Sequence, residues 1–136
     1  MSSGIFVTGF YGSLLYAAIN VGSDQFGIML VSEDYRPDFT GHTRRSDVEM
    51  FEIVGQGYNG PVKTTAKVNY DADCLGLEFG GVRWPEASLR TRGAVYFRAG
   101  GGDPSEDELI AFNDFGRVME CTRGTFSVAP LTLELK

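Results

Sequence analysis

Cysteine, histidine, tryptophan and proline are all scarce in this chain: two, one, one and five copies among 136 residues. Cys74 and Cys121 are too far apart for a Cys-x-x-Cys motif, so the common zinc and redox spacings are lacking. We interpret both as buried thiols in a reducing compartment. A disulfide between them stays open as an alternative, although a core of this size does not need one.

Long apolar runs are lacking as well. The stretch Ile5–Ile19 is interrupted by Thr8, Gly9, Gly12 and Ser13. It therefore falls short of the roughly 20 apolar residues that span a bilayer. The start Met-Ser-Ser-Gly has no positive region, so we expect no secretory leader. The sequence predicts no membrane partner.

Positive charge is in deficit, with 12 basic against 18 acidic residues and a formal net charge of −6. The basic residues are scattered, and Arg44-Arg45 is their longest run. Proteins that neutralise nucleic-acid phosphates need clustered lysine and arginine. We therefore expect no nucleic-acid partner.

Glycine is abundant, with 18 copies, and favours many tight turns. Apolar residues make up 43% of the chain and charged residues 22%, which is ordinary for a globular protein. The length fits one domain, so we predict a single β-rich domain over residues 1–136.

The N-terminal segment has an apolar stripe at helical spacing. Its members are Phe10, Tyr11, Leu14, Leu15, Ala18 and Ile19. Gly9 and Gly22 are suitable boundaries. We favour a short core helix, and the alternative is that residues 1–22 form an apolar arm that docks on a partner.

The rest of the chain has strand patterns. Phe26–Val31 is apolar on both faces, and Val62–Tyr70 alternates with period two. Further short strands are predicted at 74–84, 93–99, 109–112, 117–121, 125–129 and 131–135. Pro85 is expected to end the first of these strands. About eight short antiparallel strands predict a β-sandwich or barrel, jelly-roll-like, with one short N-terminal helix.

The polar stretch Ser32–Asp47 is predicted to be a surface loop. Loops longer than roughly 12–15 residues are uncommon unless they are functional. It holds Tyr35, Arg36, Arg44 and Arg45. With the apolar Phe10, Tyr11 and Leu14 of the N-terminal segment, these are our candidate protein contacts.

Two strings have the lettering of catalytic motifs without their context. Gly55–Gly60 matches Gly-x-Gly-x-x-Gly, but Pro61 and a strand follow where a dinucleotide site needs a helix. Asp114-Phe115-Gly116 matches a kinase magnesium motif, but the chain is too short for a kinase. We predict a turn at each position.

The remaining side chains that could act in catalysis or bind a metal do not form a recognisable catalytic or metal-binding motif. His42 is the single histidine, so we interpret it as a solvated loop residue and not as a general base. Asp71 and Asp73 fit a turn, and the acidic run 103–108 fits a solvated hairpin tip, because neither has a calcium-loop pattern. We predict no enzyme, no cofactor and no metal.

One ordered set of segments stands out along the chain: Gly27–Asp38, His42, Asp47–Val48, Glu52–Tyr58, Tyr70–Asp73, Val82–Pro85, Arg92–Phe97, Leu109–Gly116 and Arg123–Phe126. In this order they resemble a family of small virion proteins of tailed bacteriophages. The resemblance extends over residues 10–135, and its order and spacing are more specific than any one segment.

The resemblance implies a capsid decoration, or cement, protein. Such a protein binds the major capsid protein on the outside of the head, commonly as a homotrimer, after synthesis in the host cytoplasm. Two departures from the family pattern are the apolar segment Phe10–Ile19 and the pair Gly80-Gly81. The alternatives are another virion part, such as a neck, tail or fibre component, or a carbohydrate-binding module that uses Trp84 and the tyrosines.

Overall fold

A computed structural model gives the architecture and describes residues 3–8, 10, 24–71, 74–100 and 103–135. The regular elements that lie wholly in these ranges are eight strands and three 3₁₀ turns, and Val7, Thr8 and Phe10 have α-helical backbone. The strands are β1 (Gly4–Ile5), β2 (Phe26–Val31), β3 (Val62–Thr64), β4 (Ala66–Asp71), β5 (Cys74–Phe79), β6 (Val82–Arg98), β7 (Glu108–Val128) and β8 (Leu131–Leu135). The turns are Arg45–Asp47, Glu49–Phe51 and Pro104–Glu106. The mainly β class is confirmed.

The strands form two antiparallel sheets. One has the order β1-β7-β6-β2-β3 and the other β4-β5-β8. The barrel alternative is wrong because neither sheet closes: β1 and β3 lie at opposite edges of the larger sheet. Within the described residues, the chain passes from the larger sheet to the smaller one between β3 and β4 and between β7 and β8, and it returns between β5 and β6.

The single strand predicted for Val62–Tyr70 is divided at Thr65. β3 before this residue pairs with β2, and β4 after it pairs with β5. The Thr65 carbonyl accepts a hydrogen bond from the Gly80 N–H at 2.9 Å, and the Thr64 hydroxyl donates to the Gly80 carbonyl at 2.9 Å. These bonds fix the crossing point, so one alternating pattern supplies strands to both sheets.

Strands β6 and β7 are far longer than predicted. The segments predicted as separate strands join into one antiparallel ribbon, from Val82↔Val128 to Arg98↔Glu108. Pro85 does not stop β6, because it lies in a register shift between Trp84 and Ala87 where no ladder hydrogen bond is required of it. The predicted pairing of 93–99 with 109–112 is confirmed.

Two of the four register shifts in this ribbon are bulges that together keep one of its faces apolar. Between the pairs Trp84↔Phe126 and Ala87↔Gly124 β6 has one extra residue, and between Ala87↔Gly124 and Leu89↔Cys121 β7 has one. An extra residue in one strand shifts its side chains to the opposite face relative to the partner strand. Because β6 and β7 each have one extra residue, their buried side chains stay on the same face. Glu86 and Arg123, with φ of 51° and 50°, have the left-handed backbone at these bulges.

The core lies on both faces of the larger sheet. Phe26, Ile28 and Leu30 of β2 belong to a cluster that includes residues of both sheets. Met29 and Val31 belong to a second cluster on the opposite face. The prediction that β2 is buried on both faces is therefore confirmed, and its continuous apolar run is explained.

The described part of the N-terminal segment is attached to the larger sheet. β1 pairs with Ala111 and Phe112 of β7, and Phe6 is fully buried. Phe10 is also buried, and its N–H donates to the Phe6 carbonyl at 2.9 Å. The helix predicted for Phe10–Ile19 lies, apart from Phe10, outside the described residues.

Two smaller predictions have mixed outcomes. Gly55–Gly60 is a turn as predicted, with the Tyr58 N–H donating to the Gly55 carbonyl at 3.2 Å and Gly57 at φ 83°. Cys121 is a free thiol as predicted, but it is half-buried and not buried. The side chain of Cys74 lies outside the described part.

Candidate binding surface

The predicted contact loop meets the tip of the β6–β7 hairpin. The Leu109 N–H donates to the Thr43 carbonyl at 3.0 Å, and the Arg45 N–H donates to the Asp107 carbonyl at 2.9 Å. Residues 43–45 therefore run antiparallel to the start of β7. We call residues 32–44 together with 99, 100 and 103–107 the loop surface.

An arginine pair faces an acidic pair where the loop surface joins the sheet. Arg45 Nε lies 2.7 Å from Asp107 Oδ2, and Arg44 Nη1 lies 2.8 Å from Glu108 Oε1. Asp107 and Glu108 are buried, with exposed fractions of 2% and 5%. The prediction of a solvated acidic tip is thus wrong for these two residues, because their charges are compensated by arginines about sixty positions earlier.

Glu108 has a second arginine partner. Arg98 donates from Nε to Oε2 and from Nη2 to Oε1, both at 2.6 Å. Burial alone raises the pKa of Glu108, but the hydrogen bonds from Arg98 and Arg44 outweigh it and hold that pKa below its usual range. Glu108 therefore stays ionised at neutral pH.

Arg45 is placed for internal support more than for a partner. Its guanidinium carbon lies 5.0 Å above the centre of the Phe97 ring, a cation–π distance. Asp107, its ion-pair partner, also accepts a hydrogen bond from the Gly100 N–H at 2.8 Å. The predicted contact Arg45 is therefore mostly buried and fastens the loop to the hairpin.

Tyr35 is a buried anchor of the loop and is not available as a surface contact. Its ring packs against Phe51 and Phe112, with centroids 5.2 and 5.4 Å away. Burial, and then the charges of Asp38 and Asp47, raise the pKa of Tyr35 well above its ordinary value. Its hydroxyl therefore stays protonated.

His42 is half-buried and hydrogen-bonded inside the loop, so the interpretation as a solvated loop residue holds only in part. Its Nδ1 lies 3.1 Å from the Tyr35 hydroxyl and accepts from the Asp38 N–H at 3.2 Å. Because the tyrosine stays protonated, it too donates to Nδ1, which leaves the ring proton on Nε2. The rings of Tyr35 and His42 are stacked at 5.7 Å.

Two aspartates fix the backbone on either side of His42. Asp38 Oδ1 accepts from the Gly41 N–H at 2.9 Å and from the Thr40 N–H at 3.2 Å, and these bonds lower the pKa of Asp38. Asp47 Oδ2 accepts from the N–H groups of Thr43 and Arg44, both at 3.0 Å. Burial raises the pKa of Asp47, but these bonds lower it below its usual value.

The remaining predicted contacts fall into three groups. Arg36 is exposed, and its Nη1 donates to the Glu33 carbonyl at 2.7 Å. Arg44 is exposed beside its ion pair. Phe10 is buried in the core, and Tyr11 and Leu14 lie outside the described residues. Arg36 and Arg44 are thus the predicted contacts with an accessible cation.

The exposed end of the hairpin tip is built by Asp103. Its Oδ1 accepts from the N–H and the hydroxyl of Ser105, both at 2.9 Å, and the backbone bond is the main cause that lowers the pKa of Asp103. Over the described residues, no group of three or more His, Cys, Asp and Glu side chains is arranged to hold a metal ion.

Sequence reasoning missed an exposed apolar pair. Met50 and Val54 have exposed fractions of 74% and 96%. They lie in the segment that follows the loop, beside Ile53, which is buried and donates its N–H to the Leu30 carbonyl at 3.1 Å. The alternation of buried Ile53 with exposed Val54 was a signal too short to use.

Comparison with known proteins gives no relative: no family model, no curated protein and no solved structure matches this chain. Separately, none of the helical segments in the described ranges has the length and apolar character that a membrane crossing requires.

Proposed function

We propose that this chain is a capsid decoration, or cement, protein of a tailed bacteriophage. It binds the major capsid protein on the outer surface of the head, as a homotrimer, and stabilises the shell by bridging neighbouring subunits. The site of action is the virion exterior, after assembly in the host cytoplasm. The role requires no catalysis, cofactor, nucleic acid or membrane.

The attachment of the loop surface to the sheet carries this proposal. Asp107 and Glu108 receive charge-assisted hydrogen bonds from Arg45, Arg44 and Arg98, and this network holds the loop against the hairpin. A contact surface that is rigid before binding loses less entropy when it docks. Together with the ordered resemblance over residues 10–135, this favours a structural binding role.

The packing of the two sheets suits the same role. The rings of Phe26 in the larger sheet and Phe79 in the smaller one lie 6.1 Å apart, and Phe79 stacks on Tyr96 at 4.5 Å. These contacts between the two sheets support a β-sandwich, and we propose that it is jelly-roll-like. A rigid sandwich with several copies per particle bridges subunits by multivalent attachment.

Purified heads that lack the protein provide the test. We expect added protein to bind them, in proportion to the number of capsid subunits, and to raise the temperature at which they release DNA. Arg36→Glu should weaken binding by roughly tenfold, because it reverses a charge on the loop surface. Arg83→Glu, an exposed change away from that surface, is the control. Heads that neither bind the protein nor become more stable would refute the proposal.

Other virion locations give a different stoichiometry. A neck, tail or fibre component would be present at the few copies of a ring or fibre and would not saturate the head surface. Counting copies per particle by quantitative mass spectrometry separates these alternatives from cement.

The position of Trp84 argues against the carbohydrate-binding alternative, which depended mainly on this side chain. Its exposed fraction is 3%, and its ring packs between Tyr58 and Phe126 at centroid distances of 6.2 and 5.9 Å. A buried indole has no free face for a sugar. A glycan array without hits would complete the argument against this function.

A further inference from the structure

A groove of about 480 Å³ lies beside the irregular part of β7, and its lining includes no residue of the loop surface. Its apolar lining comes from Phe115, Met119, Phe126, Val128, Pro130 and Leu131. Phe126 and Val128 belong to the core, whereas Phe115, Met119 and Leu131 are half-buried and pack against it. The groove is therefore the part of the core face that the described residues leave incompletely covered.

The two bulges explain why this face continues to the groove. Because the extra residue of β7 falls between Cys121 and Gly124, Met119 before it and Phe126 after it point to the same side. Arg123 has the left-handed backbone at this bulge, a conformation that is strained for an arginine. The ribbon thus tolerates strain at the position that makes the apolar face continuous.

Backbone pairing is also incomplete along the groove. Among the described residues, β1 pairs with β7 only at Ala111 and Phe112, and further along β7 pairs with β6 alone. β8 is likewise an edge strand of its sheet. Edge strands with open hydrogen-bonding groups accept an extended peptide as an added strand.

The charge at the groove identifies the chemistry of its occupant. Arg117 is the charged side chain among the lining residues, it is exposed, and it is absent from the salt bridges of the described residues. Asn113 and Ser127 add hydrogen-bonding groups to the same lining. An extended segment with apolar side chains and one carboxylate would match both the apolar lining and the free arginine.

We propose that this groove binds an extended segment of the partner protein, in which apolar residues alternate with an aspartate or glutamate that pairs with Arg117. The inference rests on the proposed function, since it makes the groove a second attachment point of a binding protein. Two separate attachment points on one domain would let it bridge two subunits.

The first test is selection of linear peptides from a display library on the immobilised full chain. Wild type and the control Lys63→Glu, an exposed change in β3 at the far edge of the larger sheet, should enrich peptides with alternating apolar residues and an acidic position. Arg117→Glu should replace that acidic position by lysine or arginine. An absence of enrichment, or enrichment that ignores the charge at position 117, would overturn the proposal.

The second test measures the affinity of an enriched peptide by fluorescence anisotropy. Met119→Glu should weaken binding by about tenfold, about 1.4 kcal/mol, whereas Val68→Glu, a half-exposed apolar strand position elsewhere, should not. Met119→Ala serves if the glutamate variant does not fold. A dimer in sedimentation velocity that disappears in the Met119 variants would mean that a second copy occupies the groove, and would refute the partner segment.

Failure of this inference is distinguishable from failure of the proposed function. If wild type binds purified heads and Arg117→Glu binds them equally well, the groove proposal is overturned and the decoration role stands. If wild type selects acidic peptides but does not bind heads, the groove stands and the decoration role fails.

Discussion

Arg98 binds both carboxylate oxygens of Glu108 across the β6–β7 hairpin, through two hydrogen bonds of 2.6 Å. The same carboxylate accepts the ion pair from Arg44 of the loop, so one buried glutamate joins hairpin and loop. Removing it would leave Arg98 and Arg44 without this shared partner.

Glu108→Gln should lower the free energy of unfolding by about 2–3 kcal/mol, because a buried, bidentate ion pair loses its negative partner. Glu106→Gln changes an exposed acid of the same tip and should stay within about 0.5 kcal/mol of wild type. Urea denaturation of both variants checks this. Equal effects of the two substitutions would show that the network adds nothing to stability.

Stability should fall in acid, and Glu108 should be one cause. Its pKa is lowered in the folded state, as are those of Asp38, Asp47 and Asp103, so each contributes stability at pH values above the pKa of the unfolded chain, about 4. That contribution is lost as the pH falls through the lower pKa values that these carboxyl groups have in the folded state. Urea midpoints between about pH 7 and pH 3 measure the loss. Glu108→Gln should show a shallower decline than wild type, and an identical decline would contradict the assignment.

The hydrogen-bond acceptor at His42 Nδ1 should contribute to the stability of the folded loop. His42→Ala leaves the buried Tyr35 hydroxyl without its partner and should cost about 1–3 kcal/mol. His42→Asn keeps a short acceptor and should cost less. Tyr35→Phe removes the donor, so the double variant Tyr35→Phe with His42→Ala should be less destabilised than the sum of the single variants. Additive losses in this cycle would mean that the two side chains do not interact.

The sequence predicted the strands whose pattern is decided locally. β2 has a continuous apolar run because both of its faces are covered, and β8 begins an alternating run at Leu131. The joining of β6 and β7 into one ribbon was missed. Pro85, Gly116 and Gly124 are local stop signals, and long-range pairing with bulges overrides them.

The binding surface was predictable only in part, because its defining contacts are long-range. Arg44 and Arg45 were identified from a basic pair in a long polar loop. Nothing local to them indicates that Glu108 and Asp107 are their partners, and a run of acids beside glycines has the composition of a solvated tip. The burial of these acids follows from the pairing of the loop with β7.

Relief of the left-handed backbone at the two bulges should stabilise the ribbon. Arg123→Gly and Glu86→Gly place glycine at φ near 50° and should each raise the free energy of unfolding by up to about 1 kcal/mol. The Arg123 N–H that donates to the Ser88 hydroxyl at 3.0 Å is kept in the glycine variant. Thr122→Gly, at a neighbouring exposed strand position, should instead lower stability by roughly 0.5–1 kcal/mol. Chemical denaturation separates the two directions, and a loss of stability in all three variants would show that Glu86 and Arg123 are held by side-chain contacts that outweigh their backbone strain.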